Sequence, residues 1–315
     1  MGDDTVRNHS FINKAFPFIA ISLKGISQVV LIENVVSGAI ILLAITIASV
    51  PLGIIALLSS MIGTMIGKLG GVDDEILNQG LFGYNSVLTG MALLLFLTGP
   101  TQWILCLVGA AIAAILTASV MHIMKGTGIP ILTLPFILLT WFALLVSYRL
   151  TTFQISNSLV PQSLRQWELD ITGDIELSHG IFYGIGQVYF LDNMVSGILL
   201  FIAVFWASWK LGLYASIGNA AALVTALILG AERSLIFLGL YGYNAILTCI
   251  AVALVFNMDK RPFSYASGIM AACLTVPLAA SINTWLLPYG LPALTMPFVL
   301  STWVFLSARK ILPKL

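Results

Sequence analysis

Gln28-Val-Val-Leu-Ile-Glu-Asn-Val-Val-Ser-Gly38 decides how this chain is read, because it returns as Gln187-Val-Tyr-Phe-Leu-Asp-Asn-Met-Val-Ser-Gly197. Six of the eleven positions are identical, at an offset of 159. Gly83-Tyr-Asn-Ser-Val-Leu-Thr-Gly90 returns as Gly242-Tyr-Asn-Ala-Ile-Leu-Thr-Cys249 at the same offset. Pro130-Ile-Leu-Thr-Leu-Pro-Phe136 returns as Pro292-Ala-Leu-Thr-Met-Pro-Phe298, at an offset of 162. Apolar low complexity mimics similarity, but it does not reproduce Gln, Asn, Thr and Pro in order. The chain is read as a duplication, with halves at 1–150 and 177–315. The linker between them, 151–176, carries Arg165, Glu168, Asp170, Asp174 and Glu176 and is expected to be a surface loop.

The residues around these motifs set the class. Of 315 residues, 59% are hydrophobic and 9% charged, and the mean hydropathy is +1.02. Soluble domains carry about 25% charged residues, and disorder needs the opposite composition. The net charge of +1 leaves no basic footprint for nucleic acid. Cys106, Cys249 and Cys273 lie in apolar runs without disulfide or zinc spacing. The remaining class is an all-α polytopic membrane protein.

Stretches free of Asp, Glu, Lys and Arg run 34–67, 76–124, 126–148, 193–209, 211–231, 234–258 and 262–308. A spanning helix takes about 20 apolar residues, and Gly99-Pro100 and Leu287-Pro288 mark turns within the longest runs. Ten spans result: 30–50, 52–68, 82–98, 102–124, 130–148, 189–208, 211–229, 235–256, 263–286 and 292–308. The piece 11–23, interrupted by Pro17, is read as a re-entrant or interfacial segment. Five spans per half is an odd number, so the second half should be inverted relative to the first. The positive-inside rule agrees: eleven basic residues fall on one side of the membrane, and Arg149, Arg165 and Arg233 on the other. Both termini are then cytoplasmic and the linker external. Inverted repeats place the solute path at the repeat interface.

Polar residues inside hydrocarbon have to be received by protein or by a water-filled path. For a single Ser or Thr, bonding to a neighbouring helix is the better explanation. Duplicated positions stand out from that background. Thr133 and Thr295 sit in Pro-x-x-Thr-x-Pro, where Pro135 and Pro297 should leave the carbonyls of Ile131 and Ala293 without helical partners. Hydroxyls beside freed carbonyls suit a solute rich in N–H donors. Gln28 and Gln187 offer amides, followed by apolar patches that include Leu31 in one half and Val188 and Phe190 in the other. Tyr84 and Leu88 match Tyr243 and Leu247. Such walls with acceptors at the edge fit a small planar polar molecule, although each aromatic taken alone is better read as a core-packing residue. Asn85 and Asn244 are read as caps or bonds at a helix break.

Glu33 and Asp192 are the acids of this apolar environment. They serve either as a proton or cation site or as structural carboxylates bonded to backbone N–H groups at a helix break. The structural reading is favoured, because a five-residue step carries Glu33 around the helix from Gln28. His9, His122 and His179 share no ligand spacing, and no catalytic or nucleotide motif occurs. The chain is not read as an enzyme, and nothing in it calls for a cofactor.

Across these motifs, from Gln28 to Trp303, the chain resembles the urea transporter family. The resemblance implies ten spanning helices with one tilted half-membrane helix per half, and a homotrimer with one pore per subunit. It also implies channel-like passage of urea across a cell membrane, here a bacterial inner membrane. Carried onto this sequence, Thr133 and Thr295 become filter hydroxyls, Gln28 and Gln187 stand at the binding sites toward the two mouths, and Val188, Leu88 and Leu247 line the narrow part. The chain departs from the family where facing phenylalanines are expected. Phe190 matches one, but Leu31 is its partner, and Tyr84 and Tyr243 replace phenylalanine. Glu33 and Asp192 stand where the family tends to carry asparagine. The alternatives are a channel for another small neutral amide or ammonia, a proton- or sodium-coupled transporter using Glu33 and Asp192, and a non-transporting scaffold.

Overall fold

The computed structural model describes residues 17–157, 159–165, 168–169, 171, 176–257 and 261–315. Ser158, Asp170, Asp174, Lys260 and the N-terminal Arg7, His9 and Lys14 lie outside the described residues, as do positions 11–16 of the expected re-entrant piece.

Fourteen helices are described, and they fall into two series of the same order. The first is α1 (Pro17–Val30), α2 (Val35–Ala48), α3 (Val50–Leu69), α4 (Asp74–Asn78), α5 (Tyr84–Phe96), α6 (Gln102–Met124) and α7 (Leu134–Ser147). The second is α8 (Leu177–Tyr189), α9 (Met194–Ala207), α10 (Trp209–Ile228), α11 (Arg233–Phe237), α12 (Gly242–Val255), α13 (Ser264–Leu286) and α14 (Met296–Ala308). The protein is all-helical, with long apolar helices and bent helix pairs, as a polytopic membrane protein requires. A two-residue ribbon pairs β1 (Leu97–Thr98) with β2 (Gln154–Ile155), so part of the expected surface loop is pinned to the end of α5.

Among the described residues, four helices are long and apolar enough to cross a bilayer alone: α3 and α10 with 20 residues, and α6 and α13 with 23. The others expected to span differ. The stretches 30–50 and 189–208 are not continuous helices. α1 and α2 meet at 75°, and so do α8 and α9. Pro17, expected to interrupt the piece 11–23, is helical and stands at the edge of the described residues. α7 and α14 begin only at Leu134 and Met296, with 14 and 13 residues. That is about 20 Å of helix, short of the roughly 30 Å hydrocarbon layer.

The repeated motif explains the bend. At its apex Leu31 and Phe190 both take φ 60°, a left-handed backbone rare for non-glycine residues. Leu31 N–H and Ile32 N–H donate back to Gln28 and Ser27 carbonyls, closing the end of α1 as a Schellman turn, and Phe190 and Leu191 do the same on Gln187 and Gly186. Asn34 Oδ1 then accepts the Ser37 N–H at 2.9 Å and starts α2, and Asn193 Oδ1 accepts the Ser196 N–H at 3.1 Å and starts α9. The next residue is glycine for space: a Cβ on Gly38 would stand 2.0 Å from the Leu23 carbonyl oxygen, and one on Gly197 2.2 Å from that of Phe182.

The serines of the same motif join the halves. Ser37 Oγ donates to the Ala203 carbonyl of α9, and Ser196 Oγ donates to the Ala44 carbonyl of α2, both at 2.8 Å. The main core draws on both series, with Ile26, Ile41, Phe136, Tyr189 and Phe298 wholly buried in it. α7 and α14 also pack on each other, and their N-terminal ends carry the two threonines.

Candidate functional site

Thr133 and Thr295 stand immediately before α7 and α14. A threonine at that place ordinarily turns its hydroxyl onto an N–H of its own first turn. Neither does so here. Thr133 Oγ1 and Thr295 Oγ1 are instead hydrogen-bonded to each other at 2.7 Å, with 2% and 3% of each residue exposed. In the second half, a side chain takes over the capping duty: Asn244 Oδ1 accepts the Phe298 N–H at 3.1 Å.

The residue before each threonine, Leu132 or Leu294, has φ 50° or 52°. Each such left-handed residue stores about 1–3 kcal/mol and persists only where its surroundings hold it. The Gly-Tyr-Asn motif does the holding. Tyr84 Oη donates to the Leu132 carbonyl at 2.6 Å, and Tyr243 Oη to the Leu294 carbonyl at 2.5 Å. Asn85 Nδ2 and Asn244 Nδ2 reach the same two carbonyls at 3.5 and 3.3 Å. The asparagines, expected as caps or bonds at a helix break, therefore act on the threonine motif, and Asn85 Nδ2 also donates to Thr117 Oγ1 of α6 at 3.1 Å.

Pro135 and Pro297 do not act as expected. They lie in the first turn of α7 and α14, where no upstream helical partner is missing. The carbonyls of Ile131 and Ala293 accept the turn N–H groups of Leu134 and Met296 at 3.3 and 3.2 Å. The carbonyls of Pro130 and Pro292 accept indole N–H groups from Trp303 and Trp141, each at 2.8 Å. The row of freed oxygens reduces to the threonine hydroxyls and whatever lone pairs these carbonyls have left.

A cavity of about 520 Å³ leads to Thr133 and brings together four expected residues: Gln28, Leu31, Tyr84 and Thr133. Phe298 of α14, Val255 at the end of α12 and Phe256 just after it form another part of its wall. Arg309, 3% exposed, braces that wall by donating to the Phe256 and Val252 carbonyls at 2.9 and 2.7 Å. Gln28 Nε2 is engaged with the Gln79 carbonyl at 2.8 Å.

The remaining expected residues do not line this cavity. Leu88 and Leu247 are wholly buried one turn after Tyr84 and Tyr243. Val188 is buried, and Gln187 is half-buried beside it. The Phe190 ring packs edge-on against Phe96 at 5.7 Å and Phe136 at 6.2 Å. A second cavity of about 600 Å³, between the linker and α13, contains none of the expected residues.

Glu33 lines the mouth of the first cavity, but its carboxylate is not the expected acceptor of backbone N–H groups. Asn34 fills that role, and Glu33 Oε1 pairs with Lys24 Nζ at 2.7 Å. Lys24 also donates to the Asn78 carbonyl at 3.0 Å. The pair is partly solvated, with the Glu33 side chain 45% and the Lys24 side chain 25% exposed. Asp192, at the matched place, is exposed.

Sequence reasoning passed over Trp141 and Trp303. The signal was present, since Thr140-Trp141 returns as Thr302-Trp303 at an offset of 162.

A model of the urea transporter family matches residues 19–310. Urea transporter 1 of Ovis aries is 28% identical over 298 residues, covering 93% of this chain and 77% of the relative. Urea transporter 1 of Mus musculus is 27% identical over 289 residues, covering 90% and 75%.

Proposed function

The chain belongs to the urea transporter family, and on that premise we propose that it is a membrane channel that passes urea down its gradient. The proposed architecture is an inverted repeat of the halves 1–150 and 177–315, with ten membrane crossings, cytoplasmic termini and an external linker. The pore lies at the repeat interface, one to each subunit of a homotrimer in a cell membrane.

The observation that carries this reading is the threonine pair. Two hydroxyls that bond each other still offer one proton and several lone pairs. Urea has four N–H donors and one strong acceptor, so it meets both kinds of partner there. Gln28 and Gln187 hold it at the two approaches, and Leu88, Leu247 and Val188 flank the narrow part with apolar surface that excludes hydrated solutes. Urea leaving water loses hydrogen bonds, and the successive amide and hydroxyl sites replace them stepwise.

The same geometry disfavours ions. The N-terminal ends of α7 and α14 converge on Thr133 and Thr295. Each helix start carries roughly half a positive charge, so a cation meets a barrier where a carbonyl oxygen is welcome. Glu33, the carboxylate at the first cavity, is already neutralised by Lys24. Purified protein in liposomes tests the proposal: urea flux should exceed that of acetamide and formamide, and absence of urea flux from folded protein would refute it.

A further inference from the structure

Trp141 on α7 and Trp303 on α14 make a reciprocal pair. Trp141 Nε1–H donates to the Pro292 carbonyl of the second half, and Trp303 Nε1–H donates to the Pro130 carbonyl of the first, both at 2.8 Å. Each carbonyl belongs to the first residue of Pro-x-x-Thr-x-Pro, three residues before a threonine of the central pair. Pro130 and Pro292 have no N–H of their own, so the carbonyl is the peptide handle these residues offer. Both indoles are half-buried, unlike Trp206 and Trp209, which are 64% and 65% exposed.

Each threonine segment is therefore held at two points by different halves. Its own half grips the left-handed leucine carbonyl through Tyr84 or Tyr243. The other half grips the entering proline through an indole. We propose that Trp141 and Trp303 are positioning residues that set the spacing and orientation of Thr133 and Thr295, and through them the size of solute that passes. The proposal rests on the reading of the threonine pair as the narrow point of a urea path.

The cross-link has a consequence that ordinary packing lacks. Loss of the Trp141 bond releases the segment of Thr295, and loss of the Trp303 bond releases that of Thr133. The two hydroxyls share one contact, so either release disturbs the same place.

The test uses the full chain in liposomes, with Trp141→Phe, Trp303→Phe and the double variant at matched protein amounts. Each single variant should lower the ratio of urea to acetamide permeability by about two- to tenfold, the effect of one lost hydrogen bond on a barrier. The double variant should fall little further than the singles. A purely structural role would lower the melting temperature and leave the ratio unchanged. In unmodified protein, indole N–H exchange should be slow at Trp141 and Trp303 and fast at Trp206 and Trp209, a measurement that does not depend on any variant folding. Fast exchange at Trp141 and Trp303, or an unchanged ratio in folded single variants, would overturn the proposal. Wild-type protein that passes no urea would bring down both this proposal and the reading beneath it.

Discussion

Thr133 Oγ1 and Thr295 Oγ1 meet at 2.7 Å although 162 positions separate them in the chain. The contact places two helix N-termini, one from each half, against a single hydroxyl pair, and it makes the two threonines one unit.

Thr133→Val and Thr295→Val should therefore each lower urea flux, by up to about tenfold if one neutral hydrogen bond is lost at the barrier. Either change removes the shared bond, so the double variant should fall well short of the product of the singles. Stopped-flow flux on reconstituted, folded variants measures this. Wild-type flux in the double variant would remove the threonines from the path, and fully multiplicative losses would mean that they act separately.

The linker 149–176 should face outside and both termini the cytoplasm, from the eleven-to-three split of basic residues. Ser163, exposed in the described part of the linker, is a suitable reporter. A cysteine placed there should react with an impermeant thiol reagent on intact cells. Reaction only after permeabilisation would invert the topology.

Transport should be indifferent to a protonophore, to sodium replacement and to membrane potential. Glu33→Gln should still conduct and fold, because an ion pair as wet as Lys24–Glu33 contributes at most about 1 kcal/mol. Liposomes with imposed proton or sodium gradients give the answer. Uphill urea accumulation that collapses with the gradient and is lost in Glu33→Gln or Asp192→Asn would establish the coupled reading instead.

Gly38→Ala and Gly197→Ala should destabilise the protein, since the added methyl meets a backbone carbonyl at 2.0 or 2.2 Å rather than a movable side chain. Overpacking of this kind costs about 1–3 kcal/mol or more. Ser196→Ala, which removes only the bond to the Ala44 carbonyl, should cost about 1 kcal/mol. Detergent melting curves rank the three. A Gly38→Ala protein as stable as wild type would mean that α1 and α2 separate more easily than their packing indicates.

The sequence by itself determined the class, the duplication and the residue types of the proposed site. Hydrocarbon tolerates so few polar groups that Thr133, Thr295, Gln28 and Gln187 stand out against their surroundings, and their return in order at a near-constant offset is a property of the chain alone. Tertiary structure decided what each of them touches. The bends at Leu31 and Phe190 were hidden, because apolar residues continue on both sides of the break and the left-handed turn uses no glycine. The carbonyls of Ile131 and Ala293 looked free, because apolar sequence does not show that α7 and α14 start only one residue before Pro135 and Pro297. Glu33 looked like a structural acceptor, because its partner Lys24 lies across a bend that apolar composition does not announce. Hydrophobicity and local hydrogen bonding act over a few residues and can be read along the chain. The pairing of one half with the other depends on how two finished surfaces fit, and that fit exists only once both halves have folded.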